Sequence, residues 1–178
     1  MKHETDLYTV TIPPIIKALE NLSGMLDKAA AHVSNKKSAE ANLLQSRLVF
    51  DQFPLVKQIQ VACDNAKGIA ARLAGIEIPK FEDTETTFAE LKERIAKTIA
   101  FVKTVKQEDV AGHEERQVGI HYVPGKHLPA FEYATESGLP NFYFHFVTAY
   151  SILRKNGVEL GKGDYLGSLN WREGDPAK

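Results

Sequence analysis

The sequence has a single cysteine, Cys63, so no disulfide can form within the chain. Chains without internal disulfides are typical of a reducing compartment. Long apolar runs are also missing, since no stretch approaches the roughly 18 residues of a membrane-spanning helix. The opening residues, MKHETDLYTVTIPP, lack the apolar core of a secretion signal. We therefore expect a cytoplasmic protein that does not insert into a membrane.

An excess of either charge is absent as well, because 22 Lys+Arg stand against 23 Asp+Glu and leave a formal net charge of −1. Nucleic-acid binding depends on a basic surface that neutralises phosphates, so we expect no nucleic-acid partner. The 178 residues, of which 43% are hydrophobic, suffice to bury a core. We expect one domain over residues 1–178.

Four stretches repeat apolar residues at three-and-four spacing, which is typical of a helix with one buried face. The first runs from about Leu7 to Val33, and Pro13 and Pro14 interrupt it early. The proline pair indicates either that the helix starts there or that its first turn is kinked. After a polar loop, a short helical piece is predicted around residues 40–49.

Asp51 is the candidate N-cap of the second long helix, with Pro54 in its opening turn and Gly75 as its stop. The third helix starts at Thr87, which has capping-box spacing to Glu90. The core positions predicted on these two helices are Leu55, Ile59, Ala62, Ala66, Ile69, Leu73, Phe88, Leu91, Ile95, Ile99 and Val102.

The fourth helix is predicted over LPNFYFHFVTAYSILRKNG, residues 139–157, with Pro140 near its start and Gly157 just beyond its end. Between helices three and four, alternating Val118, Ile120 and Tyr122 precede a Pro-Gly turn, so a hairpin or an extended crossover is expected. Four amphipathic helices with one long irregular connection predict an all-α fold, a four-helix bundle.

His145 is the main candidate for a functional side chain. Helical rotation places the buried stripe of the fourth helix at Phe142, Phe146, Ala149 and Leu153. His145 and Asn141 lie one turn apart on its shoulder. Gln58 and Asn65 occupy a similar shoulder of the second helix. Helices in bundles build pockets and metal sites at such facing shoulders. One imidazole with two amides is a poor divalent site, so a buried histidine bonded to Gln58 or Tyr150 is the simpler interpretation.

Other candidates have simple structural explanations. Cys63 lies off the predicted inward stripe beside Asp64 and has no basic activator, which favours a structural thiol. His113, His121 and His127 fall in the irregular connection, where solvated loop histidines are more common than chelating ones. The glycine-rich ELGKGDYLG lacks the phosphate-binding P-loop pattern, and we expect it to pack over the bundle.

The segments DQFPL, ARLAGIEIP, TFAELKERIAKTIAF and LPNFYFHFVTAYSILRKNGVELGKGDYLG resemble a bacterial family known as a domain of unknown function. That family belongs to the DinB/YfiT-like superfamily of proposed metalloenzymes. The resemblance implies an up-down-down-up bundle, commonly dimeric. Metal-binding members of the superfamily use a histidine on helix two and an H-x-x-x-H pair on helix four. In this sequence the second histidine of the pair falls on His145, the first on Asn141, and the helix-two ligand nearest Gln58.

Two functional hypotheses follow. The first is a homodimeric helical bundle without proven catalysis, with a small pocket near His145, Asn141 and Gln58. The second is an enzyme that uses a divalent metal (zinc, nickel or iron) on a small molecule or thiol, with His145 as ligand.

The fourth helix is apolar around much of its circumference, because Tyr143, Phe144 and Val147 extend beyond the inward stripe. Such a helix is usually covered on both sides. The cover is either the C-terminal segment DYLGSLNW of the same chain or a second subunit related by a two-fold axis. The resemblance favours the second subunit, so we expect a homodimer.

Overall fold

The computed structural model describes residues 6–120, 123–171 and 173–174. Its helices and strands, in chain order, are α1 (Leu7–Asn35), α2 (Glu40–Leu44), α3 (Leu55–Ala74), α4 (Phe88–Val102), α5 (Gln107–Val110), β1 (Gln117–Gly119), β2 (His127–Pro129), α6 (Ala130–Glu132), a π-helical segment (Tyr133–Gly138), α7 (Leu139–Lys155) and α8 (Lys162–Leu166). The four predicted helices are therefore α1, α3, α4 and α7.

Contacts between side chains set the direction of each long helix. The α1–α4 pair is antiparallel, because Asp27 bonds Lys92 while Glu20 bonds the later Lys103. The connection after α3 runs back along that helix, so Arg94 of α4 reaches Asp64 and the two helices are parallel. Against α3, α7 runs antiparallel. The order is up-down-down-up, which confirms the predicted bundle.

The core fills the space between the four helices. Every predicted core position on α3 and on the inward stripe of α7 is buried, and on α4 only Ile99 is partly exposed. No helix among the described residues is long and apolar enough to cross a membrane.

The structure confirms the predicted start of the first helix and corrects that of the second. Asp6 and Thr9 form a capping box that starts α1 at Leu7, so the helix begins before the prolines and runs through both. Asp51 does not cap α3; that prediction was wrong. Pro54 is the N-cap residue, with an extended backbone (φ −68°, ψ 165°). The residue before a proline is also pushed away from helical geometry, so the helix cannot extend back to Asp51.

The connection between α4 and α7 forms the predicted hairpin in short form. Strands β1 and β2 are antiparallel, with Val118 paired to Leu128. Gly125 takes a left-handed backbone at the predicted turn (φ +77°). Tyr122 and His121 lie outside the described residues, whereas His113 and His127 are exposed to solvent.

Candidate functional site

The candidate site lies where α3 and α7 pack side by side. Gly138 precedes α7, and a Cβ there would lie only 2.9 Å from the Cγ1 of Ile69 on α3. The missing side chain lets the two helices approach closely. Four polar residues meet along the contact: Gln58 and Asn65 from α3, Asn141 and His145 from α7. We call these four residues the α3–α7 seam.

Gln58 and His145 form a buried pair within the seam. The Gln58 Oε1 and His145 Nδ1 atoms are 2.7 Å apart. Gln58 Nε2 donates to the backbone oxygen of Phe53 at 3.1 Å, so Oε1 faces the imidazole as an acceptor. This orientation assigns the proton to Nδ1 and leaves the Nε2 lone pair unprotonated. The expected hydrogen bond between His145 and Gln58 is confirmed.

His145 is held in its neutral form by its surroundings. Only 7% of its surface is exposed, and burial lowers the pKa of the imidazole below its ordinary value of 6.5. The ring stacks on Phe53 with centroids 6.5 Å apart, and Phe144 meets it edge-on at 5.2 Å. Burial between these rings favours the neutral imidazole, whose Nε2 atom can accept a hydrogen bond.

Asn65 and Asn141 form the second pair of the seam. Asn141 Nδ2 donates to Asn65 Oδ1 at 3.1 Å. Asn65 Nδ2 is buried and has no hydrogen-bond partner among the described residues. An unsatisfied buried donor costs about 1–3 kcal/mol, and an added acceptor would remove that cost.

The seam does not offer the ligands that a transition metal needs. Its donors are one imidazole and three amides, and amide oxygens suit hard cations rather than zinc or nickel. Among the described residues, no group of three or more His, Cys, Asp and Glu side chains could hold a metal ion. The nearest carboxylate on α3, Asp64, is already paired with Lys67 and Arg94. The metal site implied by the superfamily therefore does not fit these residues.

A cleft of about 530 Å³ opens beside the Asn65–Asn141 pair. It lies between α3, the π-helical segment and the connection that follows α3. Neither Gln58 nor His145 lines it, so this cleft sits next to Asn141 rather than at the imidazole. Its polar lining includes Lys67 and Arg72, two cations that the sequence analysis did not single out.

Two buried cations hold the wall of this cleft. Arg94, 2% exposed, bonds Asp64, Asp83 and Glu85 at 2.8–3.0 Å. Lys67, 5% exposed, donates to the Pro79 oxygen at 2.7 Å. The signal for Arg94 was available in the sequence, because it follows Leu91 by three positions and so falls on the inward face of α4.

The prediction that Cys63 lies off the inward face was wrong. Cys63 is fully buried, because α3 packs against α4 on one side and α7 on the other. Burial raises the pKa of its thiol to about 12. A thiol that stays protonated at neutral pH is unreactive, which supports the structural role.

Two of three comparisons with known proteins found a match for the chain. A family profile described as "Domain of unknown function (DUF1993)" matches residues 7–166. A solved structure, described as a DinB family member protein from Shewanella denitrificans, is 44% identical in sequence, with a TM-score of 0.90. The match covers 94% of this chain and 96% of that chain. No curated protein matches the chain.

Proposed function

This chain belongs to the DUF1993 family within the DinB-like superfamily, and from that premise we propose that it is a cytosolic helical bundle that binds a small organic molecule at the α3–α7 seam without a transition metal. One observation carries the proposal: His145 is hydrogen-bonded to the amide of Gln58 at 2.7 Å. Metal-binding members of the superfamily carry three histidines at the corresponding positions, whereas here Gln58 and Asn141 are amides. The buried Cys63, kept as a free thiol, supports the cytosolic assignment.

The chemistry of the seam suits recognition of a neutral or polar organic group. Asn65 contributes a buried donor that no other group in the described part of the chain satisfies, and His145 Nε2 is an unprotonated acceptor. Phe81 and Ile78 line the cleft beside Asn65 and Asn141 and offer apolar contact. A few converging polar groups next to aromatic surface are the usual composition of a small-molecule site.

Elemental analysis of protein purified without a histidine tag tests the proposal. We expect zinc, nickel and iron to be far below one equivalent, because the seam supplies a single imidazole. His145→Gln should leave the metal content unchanged. His113→Gln, at an exposed loop histidine, is the matched control.

One equivalent of metal that is present in the wild type and in His113→Gln, but lost in His145→Gln, would contradict the proposal. That result would instead support the second hypothesis, in which the protein is a divalent-metal enzyme acting on a small molecule or thiol. Loss of metal-dependent thermal stability in the same variant would accompany it.

We also propose that the protein is a homodimer, joined through the apolar patch formed by Phe53, Phe144 and Val147. These side chains are 50%, 50% and 43% exposed, in that order, and Phe53 and Phe144 both lie against the His145 ring. A cluster of exposed aromatic residues of this kind is typical of an interface. A second copy related by a two-fold axis would cover the patch with the same patch.

The C-terminal segment of the same chain covers a different side of α7. Tyr165 of α8 stacks on Phe146 with ring centroids 4.6 Å apart. The side-chain Nδ2 of Asn21 on α1 donates to the backbone oxygen of Tyr165 at 3.0 Å. Leu169 and Trp171 remain 46% and 85% exposed. The described part of the tail therefore leaves Phe144 and Val147 open, which supports a second subunit as the cover.

Sedimentation equilibrium at micromolar concentration tests the dimer. We expect a mass twice that of the 19.8 kDa chain, and a shift to the monomer mass in Val147→Glu, because a carboxylate would be buried without a partner. Val10→Glu is the matched control, since Val10 on α1 is 41% exposed; it should remain dimeric. A wild-type mass near 19.8 kDa would rule the dimer out.

A further inference from the structure

The cleft beside Asn65 and Asn141 has an arginine on its floor, and we call it the Arg72 cleft. Gly68 stands one turn before Arg72 on α3. A Cβ at Gly68 would lie 2.5 Å from Arg72 Nη1. The guanidinium thus occupies the space that a side chain at position 68 would take, and it lies flat along the helix instead of extending into solvent.

The guanidinium is also fixed from the side of the π-helical segment. Arg72 Nη1 donates to the Tyr133 hydroxyl oxygen at 3.1 Å, and its central carbon lies 5.6 Å from the centre of the Tyr133 ring. An arginine held in this way loses little conformational entropy when it binds a ligand. Its position is set before any ligand arrives.

Arg72 has no carboxylate partner among the described residues, whereas the buried cation beside it does. Lys67 bonds Asp64 at 3.0 Å. Of the acids that line the cleft, Asp64 is shared by Lys67 and Arg94, and Asp83 by Arg94 and Lys57. Glu82 is exposed and points its backbone oxygen at Arg94. The cleft therefore contains a positioned positive charge that nothing in the described chain neutralises.

The rest of the lining supplies both hydrogen-bonding groups and apolar surface. Ser137, Asn65 and Asn141 contribute polar groups, and Ile78 and Phe81 contribute apolar surface. A volume of about 530 Å³ is within the range of small-molecule sites, about 300–1,000 Å³. A cation without a carboxylate partner among the described residues, in a cleft that also offers apolar surface, favours a ligand with one anionic end and one apolar end.

We infer that the Arg72 cleft binds a small organic carboxylate, with its carboxylate on the Arg72 guanidinium and its apolar part against Phe81 and Ile78. This inference rests on the proposed small-molecule function and names the ligand class. A guanidinium matches a planar carboxylate through two parallel hydrogen bonds. A phosphate dianion fits less well, because the three acids that line the cleft, Asp64, Glu82 and Asp83, would repel its second negative charge.

Titration of isotope-labelled protein with phenylacetate, followed by NMR, tests the inference. We expect shifts at the Arg72 side-chain N–H and at the backbone of Ser137 and Gly138, with binding about tenfold weaker in Arg72→Gln, as for the loss of a charge-assisted hydrogen bond. Gly68→Ala should fold at least as well, since alanine favours helix, yet weaken binding by displacing the guanidinium. Arg154→Gln, at an exposed arginine on α7, is the control and should bind normally.

Two further probes separate this inference from the proposed function. Phenylacetamide is the neutral counterpart of phenylacetate and should bind at least tenfold more weakly. If both bind equally at the same residues, the carboxylate inference is overturned and small-molecule binding stands. If neither binds at millimolar concentration, both fail. Shifts with inorganic phosphate but not with phenylacetate would overturn the inference in favour of a phosphate ligand.

Discussion

Arg94→Met should lower the free energy of unfolding by about 3 kcal/mol, the low end of the cost of removing one partner from a buried ion pair. Arg94 is only 2% exposed and contacts three carboxylates, Asp64, Asp83 and Glu85. Methionine replaces the apolar stem of the side chain but removes the guanidinium, which leaves those carboxylates facing one another. The cost stays at the low end because Asp64 and Asp83 are 40% and 35% exposed and can regain water.

The effect of Arg94→Met should depend on pH. Burial acts to raise the pKa of Glu85, but hydrogen bonds from Gln60 and Arg94 outweigh it and hold the pKa below its ordinary 4.5. A lowered carboxyl pKa stabilises the fold above the ordinary value, and that stability is lost as the pH falls through the pKa in the folded state. The difference between wild type and variant should therefore be full at about pH 7 and shrink below about pH 4.

Urea denaturation at both pH values measures the Arg94 effect. Lys92→Met is the matched control, because Lys92 is on the same helix and pairs with Asp27 at the surface. Its loss should cost less than about 1 kcal/mol. If both variants lose the same free energy of unfolding, the ion pairs of Arg94 do not hold the connection after α3 to the bundle.

Phe146→Ala should cost about 3–5 kcal/mol. Phe146 is 1% exposed and lies between the core and the C-terminal segment. It stacks on Tyr165 of α8 and on Phe142 of α7, with ring centroids 4.6 Å and 6.1 Å apart. Removing the ring leaves a cavity and releases α8 from its main aromatic contact, because neither neighbour can fill the space without moving its own helix.

Phe131→Ala is the matched control for Phe146→Ala. Phe131 is 52% exposed, so the same truncation there should change the free energy of unfolding by well under about 1 kcal/mol. Chemical denaturation of both variants at one protein concentration gives the comparison. A midpoint unchanged by Phe146→Ala would mean that the assigned rotation of α7 is incorrect.

The sequence was sufficient for the bundle because its helices carry regular apolar spacing and local stop and start signals. The capping box at Thr87 and Glu90 and the stop at Gly75 are short-range features, so each is readable from a few residues. Asp51 was misplaced as a cap because proline geometry at Pro54 dominates over capping preference. Cys63 was misplaced because one stripe per helix underestimates the burial of a helix with neighbours on two sides.

The candidate site was predictable in part. Rotation alone placed Gln58 and His145 on facing shoulders, and the structure joins them by a hydrogen bond. The Arg72 cleft could not be found in this way. Its wall is the connection after α3, which folds back along that helix, and no periodic pattern gives the path of such a segment. Gly68 and Arg72 share a helix, but the contact between Arg72 and Tyr133 spans 61 positions of sequence.

The central claim is that His145 is a buried, neutral imidazole whose tautomer is set by its hydrogen bond to Gln58, in a seam without a metal ligand set. The most direct test is a two-bond proton–nitrogen NMR spectrum of His145 at neutral pH, recorded without zinc and with one equivalent. We predict a protonated Nδ1 and an unprotonated Nε2, with the same pattern after zinc is added. A coordinated Nε2 at one equivalent of zinc, or a proton on Nε2 with Nδ1 bare, would contradict the claim.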